Sequence, residues 1–253
     1  MALTYRLIVQ LMKKLINVGF LMTIVALWAG SAVPLTAQTV IFNNTANDLV
    51  TRFNPGTTQV GNEILLAPSP STPWYLTTFS FEFWGTNTAS PGNVSFAGPV
   101  TAEVRFYQNN GSPVNGYASP GTTAFYDSGP ISLASIGAAP TARGTLVFTA
   151  GSDFPSAGLL IPTSDMTWSV QFQGMRQTDS VGVDLYSPAT VGQTYEDYWA
   201  YNPYYSSWTL YTNSVPMSFG AYMVGVPEPS TLSLSLLGGI GVLALARRLR
   251  RKD

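Results

Sequence analysis

Apolar and polar residues alternate with a period of two through the middle of the chain. Met166, Trp168, Val170 and Phe172 fall on one face and Thr167, Ser169, Gln171 and Gln173 on the other, the pattern of a half-buried strand. Ala102, Val104 and Phe106 alternate with Thr101, Glu103 and Arg105, and the run from Tyr75 to Trp84 sets Phe79, Phe81 and Phe83 on a common face. Shorter strands are predicted at 40–43, 63–66, 124–128, 145–150, 181–185, 199–201, 207–212 and 221–224. Turn clusters divide them, among them Asn54-Pro55-Gly56, Ser90-Pro91-Gly92-Asn93, Asn109-Asn110-Gly111, Ser119-Pro120-Gly121 and Ser128-Gly129-Pro130. Between the two ends of the chain only Ile131 to Ile136 reads as a short helical turn. About ten or eleven short strands with Gly and Pro turns predict an all-β fold, a two-sheet antiparallel sandwich of jelly-roll-like type, as one body over residues 38–224.

The two ends follow a different pattern. Residues 1–37 read as a signal peptide: Lys13 and Lys14 form the basic region, Leu15 to Ala29 the apolar helix, and Leu35-Thr36-Ala37 precedes a cleavage point between Ala37 and Gln38. Gly30-Ser31-Ala32 is the competing site, and a start at Met12 gives a more ordinary leader. No Cys follows the apolar stretch, so a lipoprotein anchor is not expected. At the other end, Val226-Pro227-Glu228-Pro229-Ser230 is followed by an apolar run over 231–246 and a basic stop over 247–253 that contains Arg247, Arg248, Arg250, Arg251 and Lys252. The prolines fix φ and remove backbone donors, so a helix starts after Pro229 with Ser230 or Thr231 as its N-cap. A run of about 16 residues spans roughly 24 Å, short against a hydrocarbon core of ~30 Å, so this transmembrane helix needs local thinning or snorkelling arginines. The basic cluster holds its end on the cytoplasmic side.

The order Val226-Pro227-Glu228-Pro229-Ser230, short apolar helix, Arg-rich terminus resembles the PEP-CTERM sorting signal of Gram-negative and related bacteria, here over residues 225–253. The resemblance implies recognition by an exosortase, a membrane-embedded transpeptidase-like enzyme, with processing near Pro227-Glu228-Pro229. It also implies a setting of exopolysaccharide and biofilm matrix. Within the body, Val40-Ile41-Phe42-Asn43-Asn44, Val60-Gly61-Asn62-Glu63-Ile64 and Phe125-Tyr126-Asp127-Ser128-Gly129-Pro130 resemble the loosely defined domains that bacteria pair with interchangeable surface anchors. That second resemblance implies a β-sandwich and brings no catalytic residue with it.

Net charge is −1, but eight of the twelve basic residues lie in the terminal signals. Between them the body holds Arg52, Arg105, Arg143 and Arg176 against eleven acids, which leaves it about seven charges negative and ill suited to nucleic acid or anionic lipid. The chain has no His and no Cys, which excludes Ser-His-Asp and Cys-His nucleophilic sites, the usual zinc sites and any disulfide. Sandwich loops can hold calcium through carboxylates and carbonyls, but no Asp-x-Asp-x-Asp-Gly pattern occurs, so no metal or cofactor is expected. A glycoside hydrolase would need two carboxylates, and Asp179 with Asp184 or Glu196 with Asp197 are the nearest pairs in sequence.

Residues 195–211 carry eight aromatic side chains, with Asn202-Pro203 marking a turn between two strands of a hairpin. Flat rings beside amides and carboxylates stack on sugar C–H faces, which makes Trp199, Tyr204, Tyr205 and Trp208 candidate glycan contacts. Half of these rings are also what a sandwich core would take. Taken together, the sequence points to an exported protein without enzymatic activity, tethered to the inner membrane as a precursor and then sorted to the cell surface or matrix in a structural or adhesive role. Its expected partners are signal peptidase and the general secretion machinery, the exosortase-like enzyme, and exopolysaccharide. The alternatives are a carbohydrate-binding module of the matrix and a hydrolase with paired acids.

Overall fold

The computed structural model of the protein describes residues 38–68, 73–89, 95–133 and 142–227. The whole of the expected signal peptide, residues 1–37, together with Glu228-Pro229-Ser230, the apolar run over 231–246 and the basic stop, lies outside the described residues. Among the described residues no helix is long and apolar enough to cross a membrane.

Fourteen strands are described: β1 (Thr39–Asn43), β2 (Asp48–Phe53), β3 (Val60–Leu65), β4 (Trp74–Asn87), β5 (Thr101–Gln108), β6 (Tyr126–Ser132), β7 (Ala142–Thr149), β8 (Leu159–Ile161), β9 (Asp165–Gln173), β10 (Asp179–Tyr186), β11 (Gln193–Thr194), β12 (Tyr198–Asn202), β13 (Ser207–Tyr211) and β14 (Ala221–Pro227). They form two antiparallel seven-stranded sheets. The first runs β1-β14-β4-β10-β2, with β7 and β8 also on β4; the second runs β13-β12-β3-β9-β5-β6, with β11 on β3.

The first sheet is organised by β4. One flank of this 14-residue strand pairs with β14 along Trp74 to Phe81 and then with β10 along Phe83 to Asn87. The other flank pairs with β8 along Trp74 to Leu76 and with β7 along Thr78 to Gly85. The alternation read from the sequence sets the faces. Phe79, Phe81 and Phe83 of β4 point inward, as do Val104 and Phe106 of β5 and Met166, Trp168, Val170 and Phe172 of β9, all buried in one core between the sheets. Phe79 meets Phe106 edge-on at 5.0 Å and Trp168 at 5.4 Å, and Trp168 meets Phe219 at 5.8 Å. Each ring so buried contributes roughly 1.5–3 kcal/mol from area, plus the quadrupolar preference for tilted contacts.

Two buried asparagines fasten the connections to this frame. The Asn62 amide donates to the backbone oxygens of Tyr195 and Asp197, and its oxygen accepts from Thr194 Oγ1 and the Phe219 N–H. The Asn44 amide donates to the oxygens of Tyr186 and Phe219. Asn62 is paired at both its amide and its oxygen, whereas the buried Asn44 oxygen has no partner among the described residues, so it is the Asn44 amide alone that fixes the chain there.

Several expectations change. Ile131 and Ser132 do not open a helical turn; they end β6, in register with Ala102 and Thr101. The cluster Ser128-Gly129-Pro130 is not a turn between strands but an irregularity inside β6, where Gly129 takes φ +62° and the Ser128 hydroxyl oxygen accepts from the Val104 N–H at 2.9 Å. A bulge of this kind adds a residue without ending the ladder. Strands β2, β8 and β11 carry no clean alternation: β2 holds an exposed Val50 at φ +55°, and β8 and β11 are three and two residues long. The body does not stop at Val224, because β14 continues through Gly225 and Val226 to Pro227.

Candidate functional site

The hairpin β12–β13 pairs Tyr198 with Tyr211 through Asn202 with Ser207, leaving a four-residue turn of Pro203, Tyr204, Tyr205 and Ser206. Asn202 builds that turn: its side-chain oxygen accepts from the backbone N–H of Tyr204 at 3.0 Å and of Tyr205 at 3.3 Å. Ser206 closes it at φ +49°. An Asx turn followed by one left-handed residue is a stiff way to reverse a strand.

The four candidate aromatics separate in this hairpin. Tyr204 and Tyr205 stand at the tip, 85% and 72% exposed, with ring centroids 4.8 Å apart and planes at 89°. Trp199 is fully buried and Trp208 nearly so; with Tyr107 they form a second apolar cluster, against which Val114, Tyr117, Tyr201 and Leu210 pack. No face of Trp199 is open to a ligand. The Trp208 indole donates to the Gly121 oxygen at 3.2 Å, tying the hairpin to the β5–β6 connection. The two tryptophans therefore hold the hairpin, and the two tyrosines are what it presents.

The second cluster rests on the outward face of the second sheet. Gly61 lies opposite both Trp199 and Ser169, and a Cβ there would approach Thr167 Cγ2 to 2.7 Å, so this position has no room for a side chain. On the same face, Glu63 opposes Thr167, and the Trp199 indole donates to Glu63 Oε2 at 3.3 Å. Burial of Glu63, assisted by the nearby Asp165 charge, pushes its carboxyl up from 4.5 to about 7. Asp165 itself accepts from the Asn109 amide at 2.5 Å, and Asn109 accepts from the Thr167 hydroxyl at 2.7 Å. Farther across, Arg105 pairs with Glu103 at 2.5 Å and Asp127 at 2.8 Å and donates to Gln59, whose amide donates to Tyr107 and Ser169. The sequence marks neither Glu63, which it places only within a strand, nor Asp165 as a site residue. They lie on neighbouring strands, and only the β3–β9 register, Leu65 opposite Asp165, brings them to one face.

A charged cluster occupies the outward face of the first sheet. Asp184 on β10 is fully buried, and Arg52 of β2 and Arg143 of β7 each place Nε 3.5 Å from its Oδ1. Neither Asp184 oxygen accepts a hydrogen bond from the described residues. Desolvation raises its carboxyl above the usual range, while the two guanidiniums oppose that rise. Arg143 also grips Asp48 through both terminal nitrogens, at 2.5 and 3.2 Å, which lowers the Asp48 carboxyl and raises the Arg143 guanidinium. Tyr186 donates to Glu82 and accepts from Arg143.

Asp179 and Asp184 do not converge as a hydrolytic pair. Asp179 accepts the backbone N–H groups of Ala97, Gly98 and Arg176 at 2.7–2.9 Å and shapes a loop. Asp184 lies five positions along the same strand, about 16 Å away at ~3.3 Å per residue, against the ~5–10 Å that glycoside hydrolysis uses. Glu196 and Asp197 fall between β11 and β12, with Glu196 exposed. Among the described residues no group of three or more acids could hold a metal ion.

At the other functional stretch, Val226 and Pro227 are part of β14, opposite Tyr75 and Trp74 of β4. Glu228, Pro229 and Ser230 lie outside the described residues. Residues 225–252 match the family model described as the PEP-CTERM protein-sorting motif. No curated protein and no solved structure matches the chain.

Proposed function

We propose, for a chain that carries a PEP-CTERM protein-sorting motif at residues 225–252, that the protein is exported, held in the inner membrane as a precursor and sorted to the cell surface or surrounding matrix by an exosortase-type enzyme. The motif match is the observation that carries this reading, and it fits a body with few charges and no cysteine. Signal peptidase and the general secretion machinery act first, at the Ala37–Gln38 junction. The body then serves a structural or adhesive role and performs no catalysis of its own. The test is labelling of intact cells that express the full chain, with and without Glu228→Ala and Pro229→Ala. Surface label on the unaltered chain and its loss in the variant are expected; a chain retained in the cytosol contradicts the reading.

A second reading rests on the hairpin tip. Two exposed tyrosine rings at right angles, stiffened by Asn202 and anchored by buried Trp199 and Trp208, make a notch suited to the C–H face and hydroxyls of a sugar. On this reading the protein binds exopolysaccharide through Tyr204 and Tyr205. Absence of binding to matrix glycans on an array, or binding unchanged in Tyr204→Ala with Tyr205→Ala, would remove it.

A further inference from the structure

Strand β13 is the outer strand of the second sheet, and its free flank is defined residue by residue. The Tyr201 N–H donates to the Gln59 oxygen at 2.9 Å, so Trp199 and Tyr201 turn their backbone groups to β3, while Tyr198, Ala200 and Asn202 turn theirs to β13. Thr209 lies opposite Ala200, so Ser207, Thr209 and Tyr211 answer β12, and the N–H and oxygen of Trp208 and Leu210 point away from it. Among the described residues neither Trp208 nor Leu210 has a backbone partner on that flank. Folded proteins usually blunt such an edge. Here β6 is broken by left-handed Gly129 and by Pro130, and β2 by left-handed Val50 and a register shift against β10. Strand β7 carries a charge, Arg143, and β1 is covered, since the Ala67 N–H donates to the Ile41 oxygen and Val191 bridges to Asn43. From Ser207 to Tyr211, β13 has no proline, no register shift and no charge.

The surroundings favour a particular occupant. No charged residue occurs from Tyr198 to Pro227, in a body whose acids outnumber its arginines eleven to four. Two copies of the body therefore repel over most of their surface and least along this hairpin. Seven large apolar side chains are exposed among the described residues, and four of them, Tyr204, Tyr205, Tyr211 and Val215, lie in the hairpin and the chain just after it. We propose that β13 pairs with β13 of a second copy, antiparallel about a two-fold axis through Thr209, so that the two second sheets become one. The register is self-complementary: Trp208 faces Leu210 of the second copy and Leu210 faces its Trp208, each pair exchanging both N–H groups and both oxygens, with Thr209 facing Thr209 between them. The side chains agree with the backbone. Leu210 of one copy comes beside Trp208 of the other and extends the second apolar cluster across the axis, Tyr211 comes opposite Ser207, and no like charges are opposed. Neither sorting nor glycan binding requires a second copy, so this contact stands or falls apart from both.

Cross-linking tests it. At the axis the two Thr209 residues form a non-hydrogen-bonded pair with Cα atoms ~4.5 Å apart, within disulfide reach, and the chain has no other cysteine. Full-length Thr209→Cys in detergent, oxidised mildly, is expected to run as a covalent dimer on a non-reducing gel, while Ser152→Cys, at an exposed turn away from β13, is expected to stay a monomer. No dimer from Thr209→Cys, or equal dimer from both variants, overturns the proposal. Thr209→Lys sets two like charges face to face at an exposed position that the fold does not need. Light scattering of the full chain in detergent is expected to give twice the chain mass for the unaltered protein and a halved value for Thr209→Lys. A monomeric unaltered chain, or a mass unchanged in Thr209→Lys, would equally overturn it.

Discussion

The indole nitrogen of Trp199 donates to a buried carboxylate, Glu63 Oε2, at 3.3 Å. The pair joins the edge hairpin to the centre of the second sheet and gives that joint a pH dependence. The Glu63 carboxyl titrates at about 7 in the fold against 4.5 when free. Between these values the folded chain holds a proton that the unfolded chain has lost, so the stabilisation is complete below pH 4.5 and is lost as pH rises through 7. Denaturant midpoints of the purified protein should fall from pH 4.5 to pH 8 by the equivalent of about 3 kcal/mol on this account, and Glu63→Gln should flatten that slope and stabilise the alkaline end. A slope unchanged in Glu63→Gln would assign the dependence elsewhere.

Trp199 and the tip tyrosines should separate in mutagenesis. Trp199→Ala removes a fully buried ring from the second cluster and is expected to cost ~3–5 kcal/mol in chemical denaturation. Tyr204→Ala and Tyr205→Ala, at exposed positions, should each change stability by no more than ~0.5 kcal/mol. Glycan binding, where it is measured, should be lost in the tyrosine variants at unchanged stability.

Asp184 should prove costly to leave unpaired and inexpensive to neutralise. Arg143→Ala takes away one of its two guanidiniums and frees Asp48, an expected loss of roughly 2–4 kcal/mol that changes little with salt. Asp184→Asn removes the buried charge and leaves two half-exposed arginines to water, so a loss of at most ~1 kcal/mol is expected. Urea unfolding of both variants at low and high ionic strength gives the comparison. Equal losses would mean that the cluster stabilises through packing instead of charge.

How much of this was legible in the sequence depended on the range of the signal. The faces of β9, β5 and the Phe79-to-Phe83 stretch of β4 follow from alternation alone, since each contributes one side to a common core; the parity change between Leu76 and Phe79 shows only in the pairing with β14. Gly129 was misread because a turn residue serves a bulge as well as it serves a turn, and only the partner strand distinguishes them. Ile131 looked helical for want of alternation around it, yet its register with Ala102 decides its state. At the site, the eight-aromatic stretch was visible, but which rings face inward was set by pairing: Tyr201 opposite Trp208 and Trp199 opposite Gly61. The Glu63–Asp165 neighbourhood and the Asp184–Arg52–Arg143 cluster join strands far apart in the chain, and no local pattern announces them. The sorting motif, by contrast, is contiguous, and was readable in full.

The central claim is that a folded β body is carried out of the cell and released from its own membrane-seeking tail. Intact-mass measurement of the protein from two cultures that differ only in the sorting enzyme tests this directly. With the enzyme present, the expected product is found outside the inner membrane, shortened at both ends, begins at Gln38 and lacks the arginine-rich terminus; without it, the chain stays in the membrane with Arg247 to Asp253 attached. Recovery of the same full-length chain from the cytosol of both cultures would contradict the claim.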